Sequence, residues 1–253
     1  MIRLKNEKQI NGIRESCKML SAMYRELIPL VKPGATALDL DVWVRRWIKQ
    51  NGGKPAFLGY GDKKNPFPAA LCISFNETVI HGIPTKRKII EGDLVSLDCG
   101  IDLAGFISDQ AVTIEAGKVS EAAHHLNVTT KECLIRGIAA AKAGERLLLI
   151  SRAVETHARA AGYGIVTRYC GHGVGFDLHE DPHVPNVAKG ANPRLSRGLV
   201  FALEPMINMG KGDVEQLDDG WTIVTADGKL SAHWEHTLAV TGDTVEVLTE
   251  NVI

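Results

Sequence analysis

The chain has 253 residues, of which 45% are hydrophobic and 23% charged, so it is long enough to bury a substantial core. Its formal net charge of -1 gives no reason to expect binding to nucleic acid or to an anionic membrane. No apolar run approaches the roughly 20 residues of a membrane span, and the polar N-terminus does not resemble a signal peptide. Five scattered cysteines without a C-x-x-C pair indicate free thiols in a reducing cytoplasm and disfavour a structural zinc site.

The first part of the chain is predicted to be mainly helical. Apolar residues recur at spacings of three and four in two segments, and glycines end both patterns. Trp43 and Trp47 lie one turn apart in the second segment and are expected in the core. The predicted elements are two helices, an irregular loop rich in Gly, Pro and aromatic residues, and two strands, at 6–30, 38–50, 55–70, 71–75 and 78–81.

A β-hairpin is predicted over residues 94–114. Two β-rich runs are joined at the tight segment 103–105, and each run carries one carboxylate among apolar neighbours, Asp98 and Asp109. Burying an unpaired carboxylate costs several kcal/mol, so two of them in one hairpin require a shared partner. The alternative is a polar stripe that faces solvent on a half-exposed sheet.

The second half is predicted to repeat the order of helices followed by strands. Its helices are expected at 120–142 and 148–161, and its strands at 164–168, 199–207, 221–225, 232–240 and 244–248. Several residues match at an offset of 110, such as Gly34 with Gly144 and Leu38 with Leu148. We therefore expect one α+β domain (1–253) with similar halves, at about 1–118 and 119–253, related by a pseudo-twofold axis, and a site in the groove between them.

Three more ionisable residues fall where the core of a sheet is expected. His172 stands among glycines, Glu204 ends an apolar strand, and Glu235 lies within another strand. Each has an ordinary alternative, as a hydrogen-bonded core histidine, a charge at a strand end or a solvent-facing charge. With Asp98 and Asp109 they make four carboxylates and one imidazole, a set that two divalent cations would neutralise almost completely.

Oxygen-rich ligation with a single histidine suits Mn, Fe or Co, allows Zn, and disfavours a thiolate site. Strand alternation accordingly predicts that Cys99, which follows Asp98, faces away from the metals. A pair of metals lowers the pKa of a shared water to about 7 and polarises a carbonyl, so this set predicts hydrolysis.

Motifs over nearly the whole chain resemble the methionine aminopeptidases of the short bacterial type (type I), which are pita-bread metallopeptidases. The motifs are CISFNETVIHGIP at 72–84, GDLVSLD at 92–98, GFISD at 105–109, GHGVG at 171–175, LHEDP at 178–182, EPM at 204–206 and GWT at 220–222 through SAHWEH at 231–236. The resemblance implies the pita-bread fold, with a curved antiparallel sheet flanked by helices.

The resemblance also implies a dinuclear metal site. Asp98 would chelate one divalent metal, Asp109 and Glu235 would bridge both, and His172 with Glu204 would complete the other. A hydroxide bridging the metals would attack the peptide bond, and Glu204 would accept the proton from the bridging water.

Several histidines receive roles by the same resemblance. His179 would stabilise the tetrahedral intermediate, and His81 would contact the scissile amide or the leaving nitrogen. The pattern agrees with the chemistry of histidine near neutral pH. His183, His233 and His236 are interpreted as supporting or surface residues.

The methionine side-chain pocket implied by the resemblance is mostly apolar, which suits a thioether. Its residues would be Tyr60, Phe67, Cys72, Leu178 and Trp221, with Phe57 at the edge and His81 and His179 contacting the substrate. The chain departs from the family pattern here. Residues 60–68 are several residues longer than usual, Gly61 stands where a histidine is common, and Phe57 and Leu178 replace a common cysteine and phenylalanine.

The implied function is removal of the N-terminal methionine from nascent proteins and peptides, with preference for a small second residue. The resemblance further implies a cytoplasmic enzyme, interpreted as a monomer, with transient ribosome association and no direct binding of nucleic acid or membrane. A monovalent cation, Na or K, is expected near Asn76 and Ser231.

Two alternatives remain open. Aminopeptidases of the same fold that act before proline usually carry an additional N-terminal domain, which this sequence lacks. Non-catalytic homologues that bind peptides or proteins generally lose metal ligands, whereas all five are present here. The 32-residue spacing between His172 and Glu204 leaves no room for the insertion of the type II enzymes.

Overall fold

The computed structural model describes residues 1–250 and 252, and within them the chain forms four α-helices and fifteen strands. The helices are α1 (Glu7–Leu27), α2 (Ala37–Gln50), α3 (Glu121–Ala140) and α4 (Leu148–Ala160), with a 3-10 turn (Ile28–Leu30) after α1. The strands are β1 (Lys54–Pro55), β2 (Cys72–Phe75), β3 (Thr78–Ile80), β4 (Leu94–Leu103), β5 (Phe106–Glu115), β6 (Gly164–Ile165), β7 (Gly171–Gly173), β8 (Glu180–Val184), β9 (Val200–Leu203), β10 (Met206–Asn208), β11 (Val214–Gln216), β12 (Ile223–Thr225), β13 (Ser231–His233), β14 (His236–Thr241) and β15 (Thr244–Val247). Among the helices described, none is long and apolar enough to cross a bilayer.

Side-chain caps fix where three of the helices begin. Asn6 and Gln9 form a reciprocal capping box at the start of α1, Thr36 accepts from the third N–H of α2, and Ser120 does the same for α3. These caps satisfy N–H groups that have no partner inside the helix. The four predicted helices are thus confirmed, with ends that differ by a few residues.

The two tryptophans of α2 were predicted in the core, and this is correct only in part. Trp43 and Trp47 are half-buried, and their rings stack on each other with centroids 6.5 Å apart. They pack against the core from its edge, because the fully buried stripe of the helix consists of smaller residues such as Leu40, Val44 and Ile48.

The predicted hairpin is confirmed and forms the centre of the first half. Strands β4 and β5 pair in register from Leu94 opposite Glu115 to Leu103 opposite Phe106. The two turn residues, Ala104 and Gly105, both have positive φ, at 53° and 85°, which is the type I′ geometry that follows the twist of the strands.

All the strand pairings are antiparallel, and they form four sheets within the described residues. In one, β4 pairs with β5 along its whole length on one edge and with β2 and β1 in succession on the other. A five-stranded sheet follows the order β15-β14-β9-β7-β8. Two three-stranded sheets, β13-β10-β6 and β11-β12-β3, complete the set. The largest hydrophobic cluster includes buried residues from all four helices, such as Leu20, Val44, Leu134 and Val154.

Direct hydrogen bonds join the hairpin of the first half to the second half. The Thr237 hydroxyl donates to the Asp109 carbonyl oxygen (2.7 Å) and accepts from the Asp109 N–H (3.2 Å). The Glu235 N–H donates to the carbonyl oxygen of Ala111 (2.9 Å). These bonds bring the segment that carries Glu235 directly against β5.

The predicted internal repeat is visible around the second helix of each half. The Gly34 N–H donates to the Ile89 carbonyl oxygen (2.9 Å), and the Gly144 N–H donates to that of Leu195 (2.8 Å). Both glycines have positive φ, at 96° and 79°, just before α2 and α4. The two halves therefore enter these helices by the same turn.

Two strands that were predicted to be continuous are interrupted. The predicted strand at 199–207 divides into β9 and β10 at Glu204-Pro205, and the one at 232–240 divides into β13 and β14 at Trp234-Glu235. Pro205 cannot donate to a ladder, and the Glu235 N–H turns to a different partner, so regular pairing stops at both places. Strands β7 and β8 were not predicted, because their glycines and charged residues hide the pattern.

Candidate active site

One cavity of about 70 Å³ brings together all the residues that were assigned to the site from the sequence. It is lined by Phe57, Tyr60, Phe67, Cys72, His81, Asp98, Asp109, His172, Leu178, His179, Glu204, Trp221 and Glu235. Carboxylates and an imidazole thus lie in the same cavity as the aromatic and aliphatic residues of the expected pocket.

The hairpin register explains why the two aspartates meet. Asp98 is opposite Ala111 and Asp109 is opposite Gly100, so the two carboxylates are diagonal neighbours on one face. Cys99 points the other way, into the hydrophobic core, where its thiol lies 3.4 Å from the Ala70 carbonyl oxygen. The expectation that Cys99 faces away from the site is confirmed.

The second half supplies the other three ionisable groups from β7 and from the two strand interruptions. His172 lies in β7, where a Cβ on Gly171 would be 2.4 Å from the Ala202 carbonyl oxygen, so only glycine fits beside it. Glu204 follows β9 directly, and Glu235 immediately precedes β14. All three are buried.

These groups converge closely. The Nε2 atom of His172 lies 3.3 Å from Glu204 Oε1 and 3.8 Å from Asp109 Oδ2. One possible ligand atom from each of Asp109, His172 and Glu235 lies within 4.8 Å of the others. The His172 Nδ1–H donates to the Gly173 carbonyl oxygen (2.9 Å), so Nε2 is the ring nitrogen that faces the carboxylates.

Three buried carboxylate oxygens have no hydrogen-bond partner within the described part of the protein. They are Asp98 Oδ1, Asp109 Oδ1 and Glu235 Oε1. Leaving such groups without compensation is costly, and a divalent cation removes the cost by accepting their lone pairs. Four carboxylates and one imidazole suit oxygen-preferring first-row cations, so the residues present fit a divalent metal site.

The pKa values reflect the crowding of these carboxylates. Burial raises the pKa of Asp98 from 3.8 to about 7, although its side chain keeps a small opening to the cavity. Burial and the neighbouring carboxylates raise the pKa of Asp109 and of Glu235 well above their usual values. Burial also pushes the pKa of Glu204 upward, but His233 and His172 outweigh it, so this pKa is lowered.

His233 was interpreted as a supporting or surface residue, and the structure buries it beside Glu204. Its Nε2 atom lies 3.4 Å from Glu204 Oε2, a contact of ion-pair distance without hydrogen-bond geometry. His183 is exposed, with its Nδ1 atom 3.7 Å from the Cys170 thiol, and the His236 Nδ1 atom lies 2.8 Å from the Thr249 hydroxyl.

Two further histidines border the metal-binding groups. The His179 ring centroid is 4.1 Å from that of His172, and its Nδ1 atom lies 2.7 Å from the Tyr60 hydroxyl. His81 stands edge-on to Trp221 and has a φ of 57°, a left-handed conformation that is uncommon outside glycine.

Both of these imidazoles are neutral at neutral pH. Burial lowers the pKa of His81 from 6.5 to about 4. One face of His179 is open to solvent, yet burial of the rest of the ring and the adjacent His172 lower its pKa to about 3. A neutral imidazole carries one N–H donor and one acceptor nitrogen, so the hydrogen bond made by one nitrogen decides what the other offers.

The apolar wall of the cavity is formed by one hydrophobic cluster. Its buried members are Phe57, Phe67, Ala69, Cys72 and Leu178, and Trp221 packs against them with its ring 5.2 Å from that of Phe67. All of these residues except Ala69 line the cavity together with the carboxylates.

The long loop before β2 folds back onto Trp221. The indole Nε1–H donates to the Asn65 carbonyl oxygen (3.0 Å), and the Asn65 amide donates to that of Asp219 (3.0 Å). A Cβ at Gly61 would be 2.6 Å from the indole, so this glycine makes room for it. The departure from the family pattern at Gly61 is therefore matched by close packing of Trp221.

Sequence reasoning placed Tyr60 in the pocket wall but missed its hydrogen bond to His179. The two residues are 119 positions apart, and nothing in the local sequence pattern of either one indicates the other. The same is true of His233, at the end of β13, and Glu204, which lies between β9 and β10.

Comparisons with known proteins agree with this geometry. The profile of metallopeptidase family M24 matches residues 11–242. The methionine aminopeptidase of Treponema pallidum is 50% identical over 252 residues, which cover 99% of this chain and 97% of that protein. The structure of methionine aminopeptidase from Thermotoga maritima has a TM-score of 0.94 at 38% identity, covering 99% of this chain and 100% of that one.

The chain therefore belongs to metallopeptidase family M24, and the predicted pita-bread fold is confirmed. The resemblance to methionine aminopeptidases is confirmed as well, since relatives of that name match along nearly their full lengths. The prolidase from Pyrococcus furiosus, with a TM-score of 0.80 at 23% identity, shares the fold, but this chain covers only 65% of it.

Proposed function

We propose that this protein removes the N-terminal methionine from nascent proteins and peptides by metal-dependent hydrolysis. One observation carries the proposal, which is that three unpartnered buried carboxylate oxygens share a cavity with an apolar wall. The buried carboxylates need cations to compensate their charge, and the apolar wall can contact an unbranched apolar side chain. The names of the relatives favour methionine as that side chain.

We propose that two divalent cations are held by Asp98, Asp109, His172, Glu204 and Glu235, with Asp109 and Glu235 shared between them. When bound, such cations lower the pKa of water to about 7 and polarise the scissile carbonyl. The donor set suits Co, Mn, Fe or Zn and contains no thiolate, because Cys99 faces the core.

The chain's own residues would position the substrate and move protons. The methionine side chain would lie against Phe67, Cys72, Leu178 and Trp221, where the thioether contacts aromatic rings and a thiol. Glu204, whose pKa is lowered, would be ionised and able to accept a proton from the attacking water.

The two neutral histidines have distinct tasks in this proposal. The Tyr60 hydroxyl would donate to Nδ1 of His179, so that Nε2–H of His179 faces the cavity and donates to the oxygen of the tetrahedral intermediate. His81 lines the cavity, where it would contact the scissile amide or the leaving nitrogen.

A small second residue would be preferred. A groove adjoining the cavity is lined in part by His81, Tyr169 and His179, and the peptide beyond the scissile bond would leave through it. The His81 and Tyr169 rings lie edge to face with centroids 5.9 Å apart in the wall of this groove, where they would contact the second side chain and disfavour a bulky one.

The test is a panel of peptides varied at the first two positions and assayed with each metal. Met-Ala-x peptides should lose methionine only with a divalent cation, and Glu204→Ala and His179→Ala should abolish cleavage. His125→Ala is a matched control, because His125 pairs with the Tyr163 hydroxyl (2.6 Å) outside the cavity. Wild-type protein that binds Met-Ala-x peptides without cleaving them would refute the enzymatic function, and equal turnover of Met-Ala-x and Met-Leu-x would refute the size preference.

The remaining features of the proposal concern the whole molecule. The enzyme would act in the cytoplasm as a monomer with one catalytic domain (1–253, halves about 1–118 and 119–253), associating transiently with ribosomes. A monovalent cation, Na or K, would bind near Asn76 and Ser231, which are adjacent because the Ser231 N–H donates to the Asn76 carbonyl oxygen (2.7 Å). Sedimentation of the purified protein tests the monomer.

A further inference from the structure

A fully buried ion pair connects the segment before α1 to the loop that carries His179. The Lys5 ammonium lies 2.6 Å from Glu180 Oε2, and the two side chains are 0% and 1% exposed. Such a pair rarely stabilises a fold more than apolar residues of the same size would, because desolvation offsets the attraction. Its presence therefore calls for a role other than general stability.

The segment around Lys5 is itself held firmly in place. The Lys5 N–H donates to the Gly198 carbonyl oxygen (2.7 Å), and a Cβ on Gly198 would lie only 2.5 Å from the Lys5 carbonyl oxygen. Arg3 adds a second cation, 3.1 Å from Glu180 Oε1. Lys5 is thus fixed in position by its own contacts and can hold the Glu180 side chain in place.

Glu180 holds the loop directly before it. Its Oε1 atom accepts hydrogen bonds from the Phe176 N–H (2.7 Å) and the Asp177 N–H (3.1 Å). The Glu180 side chain therefore holds the first two residues of the loop over 176–179. The last two residues of this loop, Leu178 and His179, line the cavity.

We propose that Lys5 and Glu180 are positioning residues that place Leu178 in the apolar wall and His179 beside the reacting carbonyl. Neither side chain lines that cavity, although Glu180 borders the adjoining groove, so the route from both residues to the cavity runs through the loop. The inference rests on the proposed function for its kinetic part, whereas the ordering of the loop can be measured without any substrate.

A matched ion pair provides the control. Arg14, in α1, makes two hydrogen bonds to Glu246 (2.9 and 2.8 Å), which also tie the first helix to the second half. Arg14 does not line the cavity, and Glu246 belongs to β15, away from the 176–179 loop. Arg14→Met removes this ion pair, whose side chains are 24% and 38% exposed, without touching that loop.

The decisive variant is the double substitution Lys5→Met with Glu180→Gln. It removes both buried charges, whereas Lys5→Met alone would leave an unpaired buried carboxylate. The amide oxygen of the glutamine can still accept hydrogen bonds from the N–H groups of Phe176 and Asp177. We expect it to unfold in urea close to the wild-type midpoint, with kcat reduced at least about tenfold. We also expect a changed ratio of kcat/KM between Met-Ala-x and norleucine-Ala-x peptides, because Leu178 borders the side-chain pocket.

Hydrogen exchange separates this inference from the proposed function. Amide exchange at Phe176 and Asp177 should be faster in the double variant than in wild type or Arg14→Met. A double variant that matches Arg14→Met in exchange, kcat and the substrate ratio would overturn the inference. An inactive wild-type protein with the expected exchange difference would refute the proposed function and leave the anchoring role supported.

Discussion

Metal binding to the candidate site should release protons, because the carboxylates there hold them in the metal-free protein. Burial raises the pKa of Asp98 to about 7, and those of Asp109 and Glu235 are raised well above their usual values. A cation can bind these groups only in their ionised form, so the protons must leave. Glu204 contributes none, since its pKa is lowered.

Asp98 should contribute about one proton near pH 6, and this contribution should be lost when the pH exceeds 7 and Asp98 ionises unaided, while the raised pKa values of Asp109 and Glu235 act in the same direction. For each proton released, the apparent affinity for the metal rises about tenfold when the pH is raised by one unit. Calorimetric titration of chelated protein with Mn²⁺, in buffers of different ionisation enthalpy, measures the number directly. Binding that releases no proton between pH 6 and 7 would refute the reasoning.

The same pKa shift predicts how the metal-free protein responds to pH. Between pH 3.8 and about 7 the folded state holds a proton on Asp98 that the unfolded state has lost. The contribution of Asp98 to the free energy of unfolding is therefore fully present below pH 3.8 and is lost as the pH rises to about 7. The loss is on the order of 4 kcal/mol. Urea unfolding with chelator should show it, and Asp98→Asn should remove it. A chelated wild-type protein with the same pH dependence as Asp98→Asn would contradict the assignment.

Two further changes test the substrate side of the cavity. Tyr60→Phe should lower kcat about fivefold with little effect on KM, because His179 loses a hydrogen bond worth about 1 kcal/mol. Tyr163→Phe should leave the kinetics unchanged. Gly61→Ala should raise KM several-fold, since its Cβ would collide with the indole of the pocket. Gly59→Ala is the matched control, because Gly59 has a similar positive φ but open space where the Cβ would be. Both variants should lose about 1–2 kcal/mol of stability, but only Gly61→Ala should weaken substrate binding.

Much of the first-half site could be predicted from local rules. Alternation in a hairpin with a two-residue turn places Asp98 and Asp109 on one face and Cys99 on the other, and the structure agrees. The choice of the other candidate residues rested on chemistry, since an imidazole and carboxylates in apolar surroundings need a common partner. The distances among them could not be derived, because they depend on how the two halves pack.

Contacts between distant segments account for most of what was missed. Tyr60 and His179 are separated by 119 residues, and Lys5 and Glu180 by 175. The local sequence does not indicate either contact, because a tyrosine in a loop and a lysine near the N-terminus are both common on protein surfaces. Only the packing of the segment before α1 against the 176–180 loop makes Lys5 a buried residue.

The strand interruptions show why periodicity is least reliable at the site itself. Apolar residues typical of strands continue on both sides of Glu204-Pro205 and of Trp234-Glu235, so each segment, 199–207 and 232–240, was predicted as one strand. In the structure the chain leaves its ladder at Glu204 and at Glu235, where one residue is followed by a proline and the other donates its N–H to β5. Had pairing continued, both residues would have been fixed within the ladder of a single sheet. Release from the ladder lets Glu204 and Glu235 turn toward the aspartates of the other half, so the failure of the local rule is what builds the metal-binding set.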